Sequence, residues 1–404
     1  MKVRSITVFA PASIGVQEAA AAAGDFLARA RQAIEAAGVE VQTVRMALPP
    51  LRQLVRADAT DGDLVDLARR AEQACQRSGV DYVSLGPWQP GDDESHARAL
   101  VDILAATSRL FITLDYASAT RGVDPAAARL AAQTIVDAAV LEKDGMANLR
   151  FAALANVPPS VPFLPAAWSD GRDWSFALAL ECADLARAAF AEAGDAAEGS
   201  GALVAAIEEQ GKRLIDALAD FDEFEFAGID LSLAPYPRDD DSIGATLESI
   251  GVEACGLPGT TAASAILTSA LDRVDLPRVG FSGLFLPVLE DNRLALRASE
   301  GDLRMEDLLL ACTVCGTGLD TVPLPGDCTA DDLLPWLLDL GALAVRLDKP
   351  LTARLMPMPG LEAGDELEFD FPFFAAGAVM DLPRVRFGAA LNPGNVLPIR
   401  PRRR

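Results

Sequence analysis

The chain has 404 residues, half of them hydrophobic, and a net charge of −24 from 59 acidic and 35 basic side chains. That length and apolar content suit one large α/β domain, or two ordinary ones, around a substantial core. The charge argues against a role on nucleic-acid phosphates or on anionic membranes.

The first third alternates strand-like and helix-like segments. Ser5–Ala10 is a β-branched and aromatic run. Glu18–Ala37 is an alanine-rich helix with Phe26, Leu27, Ala30 and Ile34 at helical spacing, stopped by Gly38. Val39–Met46 reads as a strand, Leu64–Ser78 as a helix, and Asp81–Leu85 as a strand closed by Gly86-Pro87. The helix Ala97–Thr107 and strand Leu110–Leu114 follow, then the helix Pro125–Val140 and strand Leu149–Leu154. This β-α order implies parallel strands with crossover helices. Val157–Trp174 is a proline-rich connection of the kind that covers sites. Helices are expected over Ser175–Ala193 and Gly201–Ala219, with Gly194–Ser200 a small polar surface turn between them.

A second series begins at Phe226. It comprises the strand Gly228–Ala234, helices Ser242–Ile250 and Thr261–Val274, the strand Val279–Leu286, and helices Met305–Leu310 and Ala330–Ala344. Thr352–Met356 and Glu366–Phe371 read as final strands. No linker divides the chain, so residues 1–374 are expected to form one domain and 375–404 a C-terminal extension. Its arginine-rich tip, Arg400 to Arg404, reads as a frayed terminus. A closed β/α barrel and a doubly wound sheet both fit this order.

Six cysteines are scattered, and neither a leader at Met1-Lys2-Val3-Arg4 nor a bilayer-length apolar run is seen. A cytoplasmic protein with reduced thiols is therefore expected. Cys75 and Cys182 read as small core residues in helices. Cys312 and Cys315 form a lone C-x-x-C pair, weak grounds for zinc without a second pair or a histidine. The single histidine, His96, sits among acids at an apparent helix start and reads as a surface or capping residue. Acid–base chemistry would then fall to carboxylates, thiols, lysine or tyrosine. No phosphate-binding glycine motif follows the first strand, so nucleotide cofactors are not indicated.

The densest segment is Cys315–Asp327, where a thiol, two carboxylates, two threonines, three glycines and two prolines crowd together. It reads either as a site-forming loop or as a turn whose aspartates cap the next helix. Together with Phe281–Asp291, Leu347–Arg354, Gly228–Pro235, Asp241–Gly244 and Asn148–Asn156, it resembles a bacterial and archaeal family of unknown function (domain of unknown function, DUF, family 711). The resemblance runs from about Val3 to Phe374.

The resemblance implies a fold similar to the ten-stranded α/β barrel of the pyruvate formate-lyase and ribonucleotide reductase group, in which an internal loop presents a cysteine. That analogy makes Cys315 the candidate central thiol. The radical-storing glycine motif of that group is not matched. Arg384-Val385-Arg386-Phe387-Gly388 has the wrong spacing and lacks the following aromatic, so no glycyl radical is expected. Many relatives carry Thr-His just before Gly259, where this chain has Leu257 and Pro258, and a small hydroxyl residue where Cys312 stands.

The expected function is that of an enzyme on a small, polar, carboxylate-bearing metabolite, with a non-catalytic binding protein as the rival. Cys315 is the candidate reactive group and Asp320 the candidate acid–base. Ser232, Thr260, Thr261, Ser282, Arg150, Arg354 and Lys349 are candidate substrate contacts, arginine because its fork matches a carboxylate. Structural salt bridges are the alternative for Arg150 and Arg354. Asp230, Asp327 and Asp348 are candidate ligands for Mg²⁺ or Ca²⁺, since oxygen clusters without histidine suit hard cations. Capping and turn roles are the alternative. The expected partners are a small-molecule ligand and a second copy of the chain in a homodimer.

Overall fold

The computed structural model describes residues 1–56, 58–314, 317–386, 388, 391 and 395–402. Twelve strands occur in chain order: β1 Lys2–Phe9, β2 Val41–Ala47, β3 Tyr82–Trp88, β4 Leu110–Ser118, β5 Gly122–Val123, β6 Phe151–Ala155, β7 Ser175–Glu181, β8 Glu225–Asp230, β9 Gly318–Pro325, β10 Leu351–Met358, β11 Glu366–Leu367 and β12 Gly377–Ala378. Ten of them make one mixed sheet in the order β8-β7-β1-β2-β3-β4-β6-β10-β9, with β5 folded back on β4. Strands β1, β2, β3, β4 and β6 are mutually parallel, as the early β-α alternation predicts. Two antiparallel seams, β1–β7 and β6–β10, join this set to the parallel pairs β7–β8 and β9–β10.

The ends of the ladder are β8 and β9, and the segment 278–287 touches both. It makes isolated parallel bridges from Arg278 to Ile229, Leu284 to Leu233, and Pro287 to Asp320.

Each strand presents two faces because successive side chains alternate. On β2, Val44 and Met46 join the main apolar core, which also takes Ala19, Ala23, Phe26 and Ala30 of the helix Val16–Ala36. Thr43 and Arg45 point to the other face. On that side Pro162, from the proline-rich connection, accepts hydrogen bonds from Ser5 and Thr7.

Several expectations need correction. Ser175–Ala193 is not one helix: β7 occupies Ser175–Glu181 and a helix spans Ala183–Ala191. The stretch Phe176-Ala177-Leu178-Ala179-Leu180 alternates large and small, with the large residues in the main core. Its alanines suggested a helix, but period two prevailed because β1 pairs along it. Gly194–Ser200 is not a free turn, since Asp195 caps a helix over Ala196–Ala217. Most of Cys315–Asp327 is strand rather than loop. Gly318–Pro325 is wholly buried, and its prolines are tolerated because β9 has a ladder neighbour on one side only. Val279–Leu286 forms only the isolated bridges, and Glu366–Phe371 is extended only at Glu366–Leu367. The helix Asn292–Glu300 was not anticipated. His96 is buried, its Nε2 lying 3.0 Å from the Ala59 carbonyl. Among the described residues beyond 374, β12 pairs with β11, and the Met380 amide donates to the Pro323 carbonyl at 2.9 Å.

Candidate functional site

A cavity of about 130 Å³ lies against the sheet face turned away from the helices. Strands β1, β2, β3, β4, β9 and β10 all contribute to it, together with residues 163–166 and 281–290. That volume is far below the roughly 300 Å³ at which pockets for drug-sized ligands begin.

The polar lining is an ion-pair chain. Arg4 donates to Glu181 at 2.7 Å and to Glu290 at 3.1 Å. Arg354 donates through Nη2 to Glu290 and through Nε to Asp320, each at 2.6 Å. Gln42 adds a bond to Glu181 at 2.7 Å. The chain links β1, β2, β7, β9 and β10, so it fixes the two parallel series against each other. Burial pushes the Asp320 carboxyl above its usual range, against the pull of Arg354. Burial alone would lower Arg354, yet Asp320 and Glu290 together hold it above the usual guanidinium range. Low-dielectric surroundings make such a chain costly to break, because removing one member strands another charge.

Sequence reasoning found Asp320 and Arg354 but missed Arg4, Arg45, Glu181 and Glu290. Their signal was present: each is a charge inside or beside a buried, mostly apolar strand or motif, where charged residues are rare. Arg45 is 7% exposed within β2. Its Nε donates to Thr43 Oγ1 at 2.9 Å. Burial first, then the nearby positive charge of Arg4, pulls its pKa down to about 9.

Cys315 lies outside the described residues. Thr317, two residues later, lines the cavity and is buried, and its carbonyl receives the Thr352 amide at 2.6 Å and the Thr352 hydroxyl at 2.9 Å. Gly318 must be glycine there. Its φ is +109°, and a Cβ would stand 2.0 Å from the Thr352 carbonyl oxygen.

The other candidates are dispersed. Asp230 is fully buried and accepts from the Ser232 amide and hydroxyl and from the Phe281 and Ser282 amides, at 2.5–3.0 Å. Burial lifts its pKa to about 6 despite those bonds. Ser232 and Ser282 are thereby occupied in tying β8 to the segment 278–287, and Ser282 Oγ also donates to the Val279 carbonyl at 2.9 Å. Thr260 closes the turn before its helix, donating to Leu257 and accepting from Gly256, while Thr261 is half-buried on the next position. The helix cap itself is Gly259.

Arg150 is engaged by the carbonyls of Leu104 and Leu110, by Thr107, and by Glu142 at 2.6 Å. Its structural alternative therefore describes its contacts. Lys349 donates to the Cys312 carbonyl at 2.9 Å. Asp327 pairs with Arg384 on the surface and is not the helix cap, which is Thr329. Asp348 ends that helix in the left-handed region and accepts from Asn156. Among the described residues, no three acidic, cysteine or histidine side chains converge as a metal-binding group. Asp230, Asp327 and Asp348 do not form one donor set.

Fold and site together define a mixed α/β protein with a buried ionic chain along a small cavity. The sequence places it among its relatives. The chain belongs to the family described as Uncharacterised ACR (DUF711), whose model matches residues 1–373. It is similar to a UPF0210 protein of Pyrobaculum islandicum, 31% identical over 384 residues, covering 89% of this chain and 84% of the relative. A UPF0210 protein of Syntrophobacter fumaroxidans is 31% identical over 358 residues, covering 82% and 77%. One from Methanopyrus kandleri is 29% identical over 404 residues, covering 94% and 88%.

Proposed function

We propose that the chain is a cytoplasmic enzyme that acts on a small carboxylate-bearing metabolite in the cavity, with Cys315 as its reactive thiol and Asp320 as its acid–base group. The observation that carries this reading is the convergence of Arg354, Asp320 and Thr317 on one cavity. Thr317 is two residues from the thiol, and burial raises the Asp320 carboxyl against the pull of Arg354. The scaffold we infer is a closed ten-stranded barrel like that of the pyruvate formate-lyase group. The bridges from the segment 278–287 to both ladder ends support closure, with that segment as the tenth stave.

Two-electron thiol chemistry fits better than a glycyl radical. Gly377 is held in β12 by pairing with Leu367. A Cβ placed on Gly388 would meet no described atom within 4 Å, and Gly394 lies outside the described residues. Among the described residues no helix is long and apolar enough to cross a membrane, which is compatible with a cytoplasmic location. A homodimer is the expected assembly, and light scattering at micromolar concentration should give twice the 42.5 kDa chain mass.

The test is alkylation of the native protein near neutral pH. Cys315 should label faster than Cys75 and Cys182, whose thiols burial pushes up, Cys75 to about 12 and Cys182 further. A co-purified acid identified by native mass spectrometry should protect it. Equal labelling of all thiols with the acid still bound would favour the rival, a binding protein without turnover. One observation speaks for that rival: every carboxylate of the ionic chain already holds an arginine. Added Mg²⁺ or Ca²⁺ tests the cation separately. A rise in melting temperature that Asp320→Asn or Asp230→Asn abolishes would support it, through linkage.

A further inference from the structure

Taking the cavity as the ligand site, we propose that it selects a monoanionic carboxylate with an apolar or aromatic body, seated on the Arg45 guanidinium and steadied by the Thr317 hydroxyl. Both groups line the cavity. Both are more than nine-tenths buried. Neither is satisfied by the protein. The terminal nitrogens of Arg45 have no hydrogen bond or ion pair among the described residues; Nε alone is engaged, with Thr43. Thr317 Oγ1 is fully buried with no partner among the described residues, whereas the Arg45 terminal nitrogens are not closed off from solvent. Buried donors normally find partners, and a cation on a largely buried side chain gains from one. A carboxylate accepting both guanidinium nitrogens supplies the missing partner in a geometry that matches the fork.

The charges around Arg45 set the ligand's valence. Arg4 and Arg354 are saturated by Glu181, Glu290 and Asp320. Arg45 is the arginine without a carboxylate in ion-pair contact among the described residues, although the three arginines and three carboxylates balance in formal charge. One negative charge on the ligand seats on Arg45 and already leaves the site one negative, whereas a second would face Glu290 and Asp320 in a low-dielectric space with no cation to spare. This excludes phosphate esters and dicarboxylates as good ligands. The walls set the ligand's body. Tyr82 and Phe111 meet edge to face at 5.5 Å, and Phe163 lies 4.6 Å from Phe285, all four on the cavity. Aromatic walls reward an apolar or aryl group.

The test is calorimetry and thermal denaturation of the full chain with 3-phenylpropionate and 4-methylpentanoate as probes. Their amides and inorganic phosphate serve as controls. Both acids should bind and raise the melting temperature, the amides about 10- to 100-fold more weakly, and phosphate not at all. Arg45→Met should lose acid binding by at least about tenfold, and the ligand-free variant should melt no lower than the parent, since burial and Arg4 outweigh the attraction of Asp81 and Glu290 on this charge. Arg45→Lys should keep part of the affinity, and Thr317→Val should weaken it severalfold without loss of stability.

Amides binding as well as acids, phosphate binding more tightly than either acid, or full acid binding by folded Arg45→Met would overturn the anion anchor while leaving the cavity a ligand site. If no probe binds and the purified protein carries no small molecule by native mass spectrometry, the ligand-site reading falls as well.

Discussion

The two parallel series of this sheet are held together by different means. In the first, β1 to β6, continuous ladders, bulged on β3–β4 and β4–β6, back onto alanine-rich helices through an apolar core. In the second, around β8, the segment 278–287 and β9, ladders give way to single bridges, and buried aspartates replace them. Asp230 gathers Ser232, Phe281 and Ser282. Asp291 is fully buried and accepts from the Ser242 hydroxyl and the amides of Ile243, Gly244, Arg293 and Leu294, so one carboxylate serves the first turns of two helices. Gly280 records the tightness of this construction: at φ +72°, a Cβ there would stand 2.1 Å from the Asp230 carboxylate. A chain can thus join parallel strands mainly through hydrophobic alternation, or through fewer ladders plus carboxylates that collect stray amides.

The contrast can be broken experimentally. Asp291→Ala should be the most damaging change, since it strands several buried donors at once; a loss of about 4 kcal/mol or more is expected in urea denaturation. A loss below about 1 kcal/mol would mean that the second series does not depend on its carboxylates. Leu85→Ala, at a fully buried position of β3, should cost about 3 kcal/mol through the cavity it leaves, an ordinary figure for a core deletion.

Asp230 sharpens the comparison through pH. Its folded pKa, about 6, lies above the unfolded carboxylate value, so the native state takes up a proton first as pH falls. This group's contribution to stability is therefore complete below about pH 4 and is lost as pH rises through 6. The stability gap between the parent and Asp230→Asn should widen from about pH 7 to about pH 4. A gap that narrows would show that the four hydrogen bonds outweigh burial. Thr329→Ala should have the smallest effect, about 1 kcal/mol, because it removes an exposed capping box with Asp332 and no buried group.

The same contrast explains what the sequence revealed. Helix and strand alternation through Leu154 was readable because each element there has one dominant period, as in Phe26, Leu27, Ala30 and Ile34. Reading failed where polar contacts override pattern. Val279–Leu286 looks like a strand, but Asp230 takes the Phe281 and Ser282 amides that a ladder would use. Gly318–Pro325 looks like a loop because its glycine and prolines answer to a close neighbour and a one-sided ladder position. In the site, Asp320 and Arg354 stood out in family-like motifs. Arg4, Arg45 and Glu181 carried only the sign of a charge within an apolar strand, because the strands that bring them together are distant in the chain and no local spacing encodes that meeting.

The seam between β6 and β10 has a consequence during synthesis. Its two sides, Phe151–Ala155 and Leu351–Met358, are separated by roughly 200 residues, which takes on the order of 10–40 s to translate. A first series that folds as it emerges carries, throughout that interval, a β6 edge with no native neighbour. Such an edge is a template for foreign strands. The long sequence separation also places seam closure among the slow, entropy-limited events of folding. A chaperone or the ribosome surface would meet this protein first as an open half, with its most exposed backbone at residues 151–155.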